Sequence, residues 1–168
     1  MNGLALLAQG VRRAIHNRRV RVRGAETVES AVIVYLIGSL RNPEVPRVAQ
    51  LLRSWGHEVI DDWYAAGPEA DDKWQEYETQ RGRSYIDALS GLHANHVFDF
   101  DDHHIRRSDA GVLLLPAGRS CHVEFGVIRG MKKPGYIVLG EHYDRFDVMY
   151  RYATKVVVKS EELEGLLC

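Results

Sequence analysis

Cysteine is scarce in this chain. Cys121 and Cys168 are its only two in 168 residues, too few for the disulfide framework that holds small secreted folds together. An excess of one charge is also missing. The 22 basic and 23 acidic residues leave a net charge of −1, which removes any global electrostatic case for nucleic acid or membrane as a partner. No apolar run approaches the roughly 20 residues that span a bilayer, and no secretory signal is recognised. The expectation is a cytoplasmic protein with one sizeable core domain.

Charge is nevertheless distributed unevenly. Arg12, Arg13, Arg18, Arg19, Arg21 and Arg23 crowd a stretch with no acidic residue before Glu26, and Leu4, Leu7, Val11, Ala14 and Ile15 recur at helical spacing beside it. This pattern predicts an extra N-terminal helix, a basic arm over residues 1–28 that packs on the domain or a neighbouring subunit with its arginines solvated. Residues 29–168 are expected to form the core domain.

Within that core, strand and helix patterns alternate. Residues 31–37, 58–60, 97–100, 111–115 and 135–139 read as buried strands, with 155–158 as a further edge strand. Between them, residues 43–55 form an amphipathic helix closed by Gly56, residues 72–92 a long polar helix, and residues 121–131 a shorter one. A short helix over 103–107 and another over 161–166 complete the reading. Such alternation predicts a doubly wound α/β fold with a parallel sheet, in which ligands bind at the carboxyl ends of the strands near the topological switch point.

The loops at those strand ends carry the candidate chemistry. Gly38, Ser39 and Arg41 follow the first strand; Gly38 permits close backbone approach and Arg41 can clamp an anion. Trp63, in the loop after the second strand, is placed to stack on a base. Asp101 and Asp102 sit beyond residues 97–100, and one of them is expected to cap the following helix. Gly118, Arg119 and Ser120 lead into the helix that carries Glu124, whose terminus is expected to keep that carboxylate ionised. A carboxylate after one strand facing a carboxylate after the next is what glycosyl transfer needs: one attacks the anomeric carbon, the other protonates the leaving group, and retaining enzymes hold them about 5–5.5 Å apart. Five histidines lie between residues 93 and 122, but their spacing fits no compact zinc site, so neither metal nor cofactor is expected. Asp109 reads as structural.

At this point the residues resemble a known family. The run Tyr35-Leu36-Ile37-Gly38-Ser39-Leu40-Arg41, the placement of Asp101 eight positions before Asp109 in Ser108-Asp109-Ala110, and a Gly/Ser loop ending in Glu124-Phe125-Gly126 are similar to the nucleoside 2-deoxyribosyltransferase superfamily, which includes the 2′-deoxynucleoside 5′-monophosphate N-glycosidases. The likeness covers about residues 31–150 of the sequence. It implies a flavodoxin-like, Rossmann-like five-stranded sheet and cleavage of an N-glycosidic bond in a small-molecule nucleoside or nucleotide. Glu124 matches the nucleophile that forms a glycosyl-enzyme ester, Asp101 the acid that protonates the departing base, and Tyr35 an aromatic residue beside the catalytic carboxylate. Arg41 stands where the monophosphate glycosidases carry an arginine. Asp147, with Met149 in the same segment, falls where a neighbouring subunit lends a residue, so a homo-oligomer with a shared active site is implied. The chain departs from the transferase pattern, with Asn at position 147 and an acid at 118, and from the glycosidase pattern, with serines at both; it has Asp147 and Gly118. Two other readings stand beside this one: a nucleotide-binding sensor without turnover, and a phosphoribohydrolase-like N-glycosidase.

Overall fold

The computed structural model describes residues 31–141 and 146–167, together with the backbone of an antiparallel pair in which Arg18 faces Glu29 and Arg19 faces Val28. The predicted N-terminal helix lies outside the described residues. Five strands, β1 (Ile33–Ile37), β2 (Glu58–Ile60), β3 (Ala110–Leu114), β4 (Gly135–Val138) and β5 (Lys155–Val157), form one parallel sheet in the order β2-β1-β3-β4-β5. This is the flavodoxin-like order, with its switch point between β1 and β3. Central strands β1, β3 and β4 are buried along their whole length, as the near-continuous apolar runs of a sheet covered on both faces require.

Alternation along β1 assigns its side chains to two layers. Val34 and Leu36 join Val45, Val48, Ala49 and Leu52 of α1 (Val45–Ser54) on one face, with Leu163 and Leu167 beside them. Ile33, Tyr35 and Ile37 face the other way, onto Ile105 of α4 (Leu92–Arg107) and Cys121, Phe125 and Ile128 of α5 (Arg119–Gly130). The α1 spacing of i, i+3, i+4, i+7 is the helical period read from the sequence, and Gly56 follows at a positive φ of 94°.

Five sequence expectations are corrected here. Residues 97–100 are not a strand: they lie inside α4, and the fifth strand is β5, the edge strand expected over 155–158. The β-branched and aromatic run Val97-Phe98-Asp99-Phe100 imitates a strand, but the segment belongs to a helix that starts after extended Gly91 and carries His104, Arg106 and Arg107 in its last turn, where cations favour the dipole. Asp101 and Asp102 therefore sit within a helix, cap nothing, and the short helix over 103–107 is the end of α4. The long polar helix over 72–92 is broken into α2 (Ala70–Gln80) and α3 (Tyr85–Leu89). Gly82 at φ 70° ends the first, and Ser84 caps the second by accepting from the Asp87 N–H. Finally, the helix over 161–166 is a 3-10 turn, Ser160–Leu163, its entry held by the Glu162 carboxylate accepting from the Val158 and Lys159 N–H groups.

Candidate active site

Tyr35 organises the site from the middle of β1. It points into the α4–α5 layer, and its hydroxyl donates to Asp101 Oδ1 across 3.0 Å. Asp101 reaches it because α4 runs back along β1 from a fixed end: Asp109, just past α4, accepts the Ile33 N–H through its carboxylate at 2.8 Å, while its own N–H donates to the Ile33 carbonyl at 2.7 Å. Asp109 is thus the structural residue expected of it. Glu124, on the α5 side, completes the cluster, and its charge acts on both Tyr35 and the Asp101 neighbourhood. The three predicted catalytic residues come together, although Asp101 arrives from a helix rather than from a strand end.

Burial governs their protonation. It raises Asp101, opposed by the Tyr35 hydrogen bond and the His104 charge. Burial, followed by the Asp101 charge, pushes Glu124 up to about 8. The Tyr35 phenol is driven far above its ordinary range by burial and then by the Glu124 and Asp101 charges, so it stays a donor. The expectation that the helix terminus keeps Glu124 ionised is corrected: Glu124 is the sixth residue of α5, beyond the first turn over which the dipole acts, and desolvation wins. Both carboxyls are raised by burial, so the pair takes up protons more readily than free carboxylates do; attack by Glu124 requires its proton to have passed to Asp101.

The loop after β1 is built tightly. A Cβ on Gly38 would lie 3.0 Å from Val45 Cγ2 and 3.5 Å from the Trp63 ring, so the glycine is demanded by packing. Trp63 donates its indole N–H to the Leu36 carbonyl at 2.9 Å, which fixes the ring as a half-buried wall at the carboxyl end of β1. Ser39 Oγ accepts from the Arg41 N–H at 3.1 Å. The Arg41 guanidinium reaches across to Asp72 of α2 at 2.7 Å, both side chains exposed. Sequence reading missed Asn42. Only 2% exposed, it accepts from the Glu44 N–H at 3.0 Å and donates to the Pro116 carbonyl at 3.4 Å, joining the loops on either side of the switch point. A polar residue inside a turn gives no sequence signal for a partner 74 positions away.

The remaining predicted residues gather elsewhere. Gly118, Arg119, Asp147 and Met149 line a cavity of about 850 Å³, with His122, Phe125 and Tyr150 among its walls. His122, Gly126 and Arg129 lie on the side of α5 turned away from Glu124, about 140–160° around the helix from it, while Phe125 lies about 100° away and is buried in the layer with Tyr35. Asp147 accepts the Met149 N–H at 2.9 Å and caps the 3-10 turn Val148–Tyr152. His122 Nδ1 donates to the Gly118 carbonyl at 2.7 Å. Ser120 lies exposed in the first turn of α5.

The fold finds a counterpart among solved structures. A 2-deoxyribosyltransferase from the psychrotolerant bacterium Bacillus psychrosaccharolyticus superposes with a TM-score of 0.54 at 18% identity, covering 79% of this chain and 90% of that one. The chain has the fold of a 2-deoxyribosyltransferase. A CMP N-glycosidase from Clostridium botulinum aligns at a TM-score of 0.48 and 14% identity, over 80% of this chain and 97% of that one. The deoxyribosyltransferase fold agrees with the resemblance read from the sequence. No family model matches the chain, and no curated protein matches it. Among the described residues no helix is long and apolar enough to cross a membrane.

Proposed function

We propose that this protein cleaves the N-glycosidic bond of deoxynucleosides or their 5′-monophosphates, passing the deoxyribosyl group to a second base or to water. The observation that carries the proposal is the Tyr35 hydroxyl gripping Asp101 beside a half-buried Glu124. In this reading the Glu124 carboxylate attacks C1′, the C1′–N bond breaks, and the electron pair leaves with the base. Asp101 delivers a proton to that base and becomes anionic. A ring nitrogen of an incoming base, or water activated by Asp101, then opens the ester and returns the proton to Asp101. Tyr35 holds Asp101 in line through its hydrogen bond. Gly38, Ser39, Arg41 and Trp63 form the β1 side of the substrate crevice, and Gly118, Arg119 and Ser120 the α5 side.

The test is incubation of the purified protein with a panel of deoxynucleosides and their monophosphates, with and without a second free base. Chromatography then follows base release and base exchange. Exchange identifies a transferase and release alone a hydrolase; no turnover across the panel removes the proposal. Asp101→Asn is expected to lower kcat/KM by about 10²–10⁴-fold for natural bases, and much less for substrates whose base leaves without protonation. An equal loss on both classes would remove Asp101 from the acid's role.

We also propose that the protein works as a homo-oligomer in which Asp147 and Met149 of one protomer border the site of another. Large apolar side chains stand exposed on α3, α4 and the turn around Met149, among them Ile86, Leu92, Val97 and Val148, a surface that a soluble monomer rarely leaves open. Sedimentation should find a dimer or larger assembly at micromolar concentration; a monomer at that concentration would contradict the shared site.

A further inference from the structure

His104 carries a buried polar atom without a partner. Its Nδ1 is shut off from solvent and makes no hydrogen bond, whereas both ring nitrogens of His122 are engaged, with the Gly118 carbonyl and the Tyr150 hydroxyl. A buried polar atom left unmade costs stability, so packing alone gives no reason for a histidine at this position. The ring is held by Phe100, one turn back on α4, at 4.4 Å between centroids, and by His103 edge-on at 5.1 Å.

Its place on α4 ties it to the proposed acid. His104 follows Asp101 by three residues, a spacing that sets their β-carbons about 5–6 Å apart on one face of the helix. Tyr35 grips the same carboxyl through its hydroxyl. Charged groups face His104 from two elements. Burial, then Arg107 and His103 of α4, hold its imidazole below the ordinary value, while Asp62, which opens the 3-10 turn Asp62–Ala66 after β2, and Asp101 pull it back up. Ionisation of Asp101 therefore draws a proton onto His104, and a protonated His104 in turn favours the Asp101 carboxylate over the carboxyl.

We propose that His104 is a positioning residue for this reaction, the group that binds a proton from solvent when Asp101 gives its own to the leaving base. The proposal rests on the glycosidic reading and adds the residue that sets how readily Asp101 releases its proton. As the C1′–N bond breaks, its electron pair leaves on the base nitrogen, and the Asp101 proton follows it there. The imidazole lone pair of His104 then takes a proton from solvent. When the ester is opened, Asp101 recovers a proton from the incoming base or water, and His104 returns its own. The Asp101–His104 pair thus stays neutral overall throughout, in a half-buried setting where an uncompensated carboxylate is costly.

The test follows Asp101 directly and does not depend on turnover. NMR of the labelled carboxyl carbon titrates Asp101 in the wild type and in His104→Gln, which keeps a polar side chain but cannot take a proton. Steady-state kinetics on deoxynucleosides and their monophosphates are measured across pH beside it. The expected result is an Asp101 carboxyl that titrates at higher pH in His104→Gln. With it should come a fall of about tenfold in kcat on natural bases at little changed KM, and little loss on substrates whose base leaves without protonation. Coupling between two sites is mutual, so His104 should also titrate at lower pH in Asp101→Asn; this measurement decides the matter if His104→Gln does not fold. A moved titration in a protein that turns over no member of the panel upholds the coupled pair and removes the glycosidic reading. Titrations that do not move overturn the proposal. So does a fall in kcat of equal size on both substrate classes, which would make His104 a structural residue.

Discussion

Glu124→Ala is expected to lower deoxyribosyl transfer or release by about 10⁴-fold or more, the scale on which removing a covalent nucleophile acts. The variant loses the atom that would bond to C1′, and the Tyr35–Asp101 pair cannot replace it, because Asp101 is committed to the proton. Folding should survive, since the change removes a desolvated carboxyl rather than a packing element. Circular dichroism should be unchanged. Mass spectrometry of acid-quenched wild type should find a deoxyribosyl adduct on the peptide containing Glu124, absent from the variant. Wild-type rates in Glu124→Ala would remove the nucleophile assignment and with it the ester route.

Glu124→Gln probes the same group through stability. Glu124 titrates near 8 in the fold against an ordinary 4.5, with burial the main cause and the Asp101 charge the second. Because the folded-state value is raised, the folded chain holds the proton more tightly than the unfolded one. Its contribution is complete below about pH 4.5 and is lost as the pH rises through about 8. Glutamine has no proton to lose. Near pH 4 the variant and the wild type should unfold at similar temperatures; by pH 9 the variant should be more stable by on the order of 4 kcal/mol, or about 10 °C in Tm. Thermal unfolding across this range gives the answer, and a gap that does not change with pH would mean that Glu124 is not a strained, buried acid.

How much of this was legible from the residues differs by element. Ile33–Ile37, Ala110–Leu114 and Gly135–Val138 declare themselves as central strands, because a sheet covered on both faces admits only continuous apolar runs. Glu124 could be placed from its loop, and Tyr35 from the family resemblance. Residues 97–100 could not, since a short run of aliphatic and aromatic residues satisfies a buried-strand pattern as readily as the exposed apolar side of a helix does. Glu124 was legible in identity but not in ionisation, because desolvation depends on what packs around the side chain. Asn42 was invisible, its partner being distant in sequence.

Asn42 also limits how this protein can diverge. By tying the turn after β1 to the Pro116 carbonyl after β3, it makes the two margins of the crevice a single rigid frame. An insertion in either turn would leave a buried amide without its partner, which costs about 1–3 kcal/mol before any effect on chemistry. Sequence drift in a lineage carrying this residue is therefore channelled away from the two turns at the switch point, which keep their lengths.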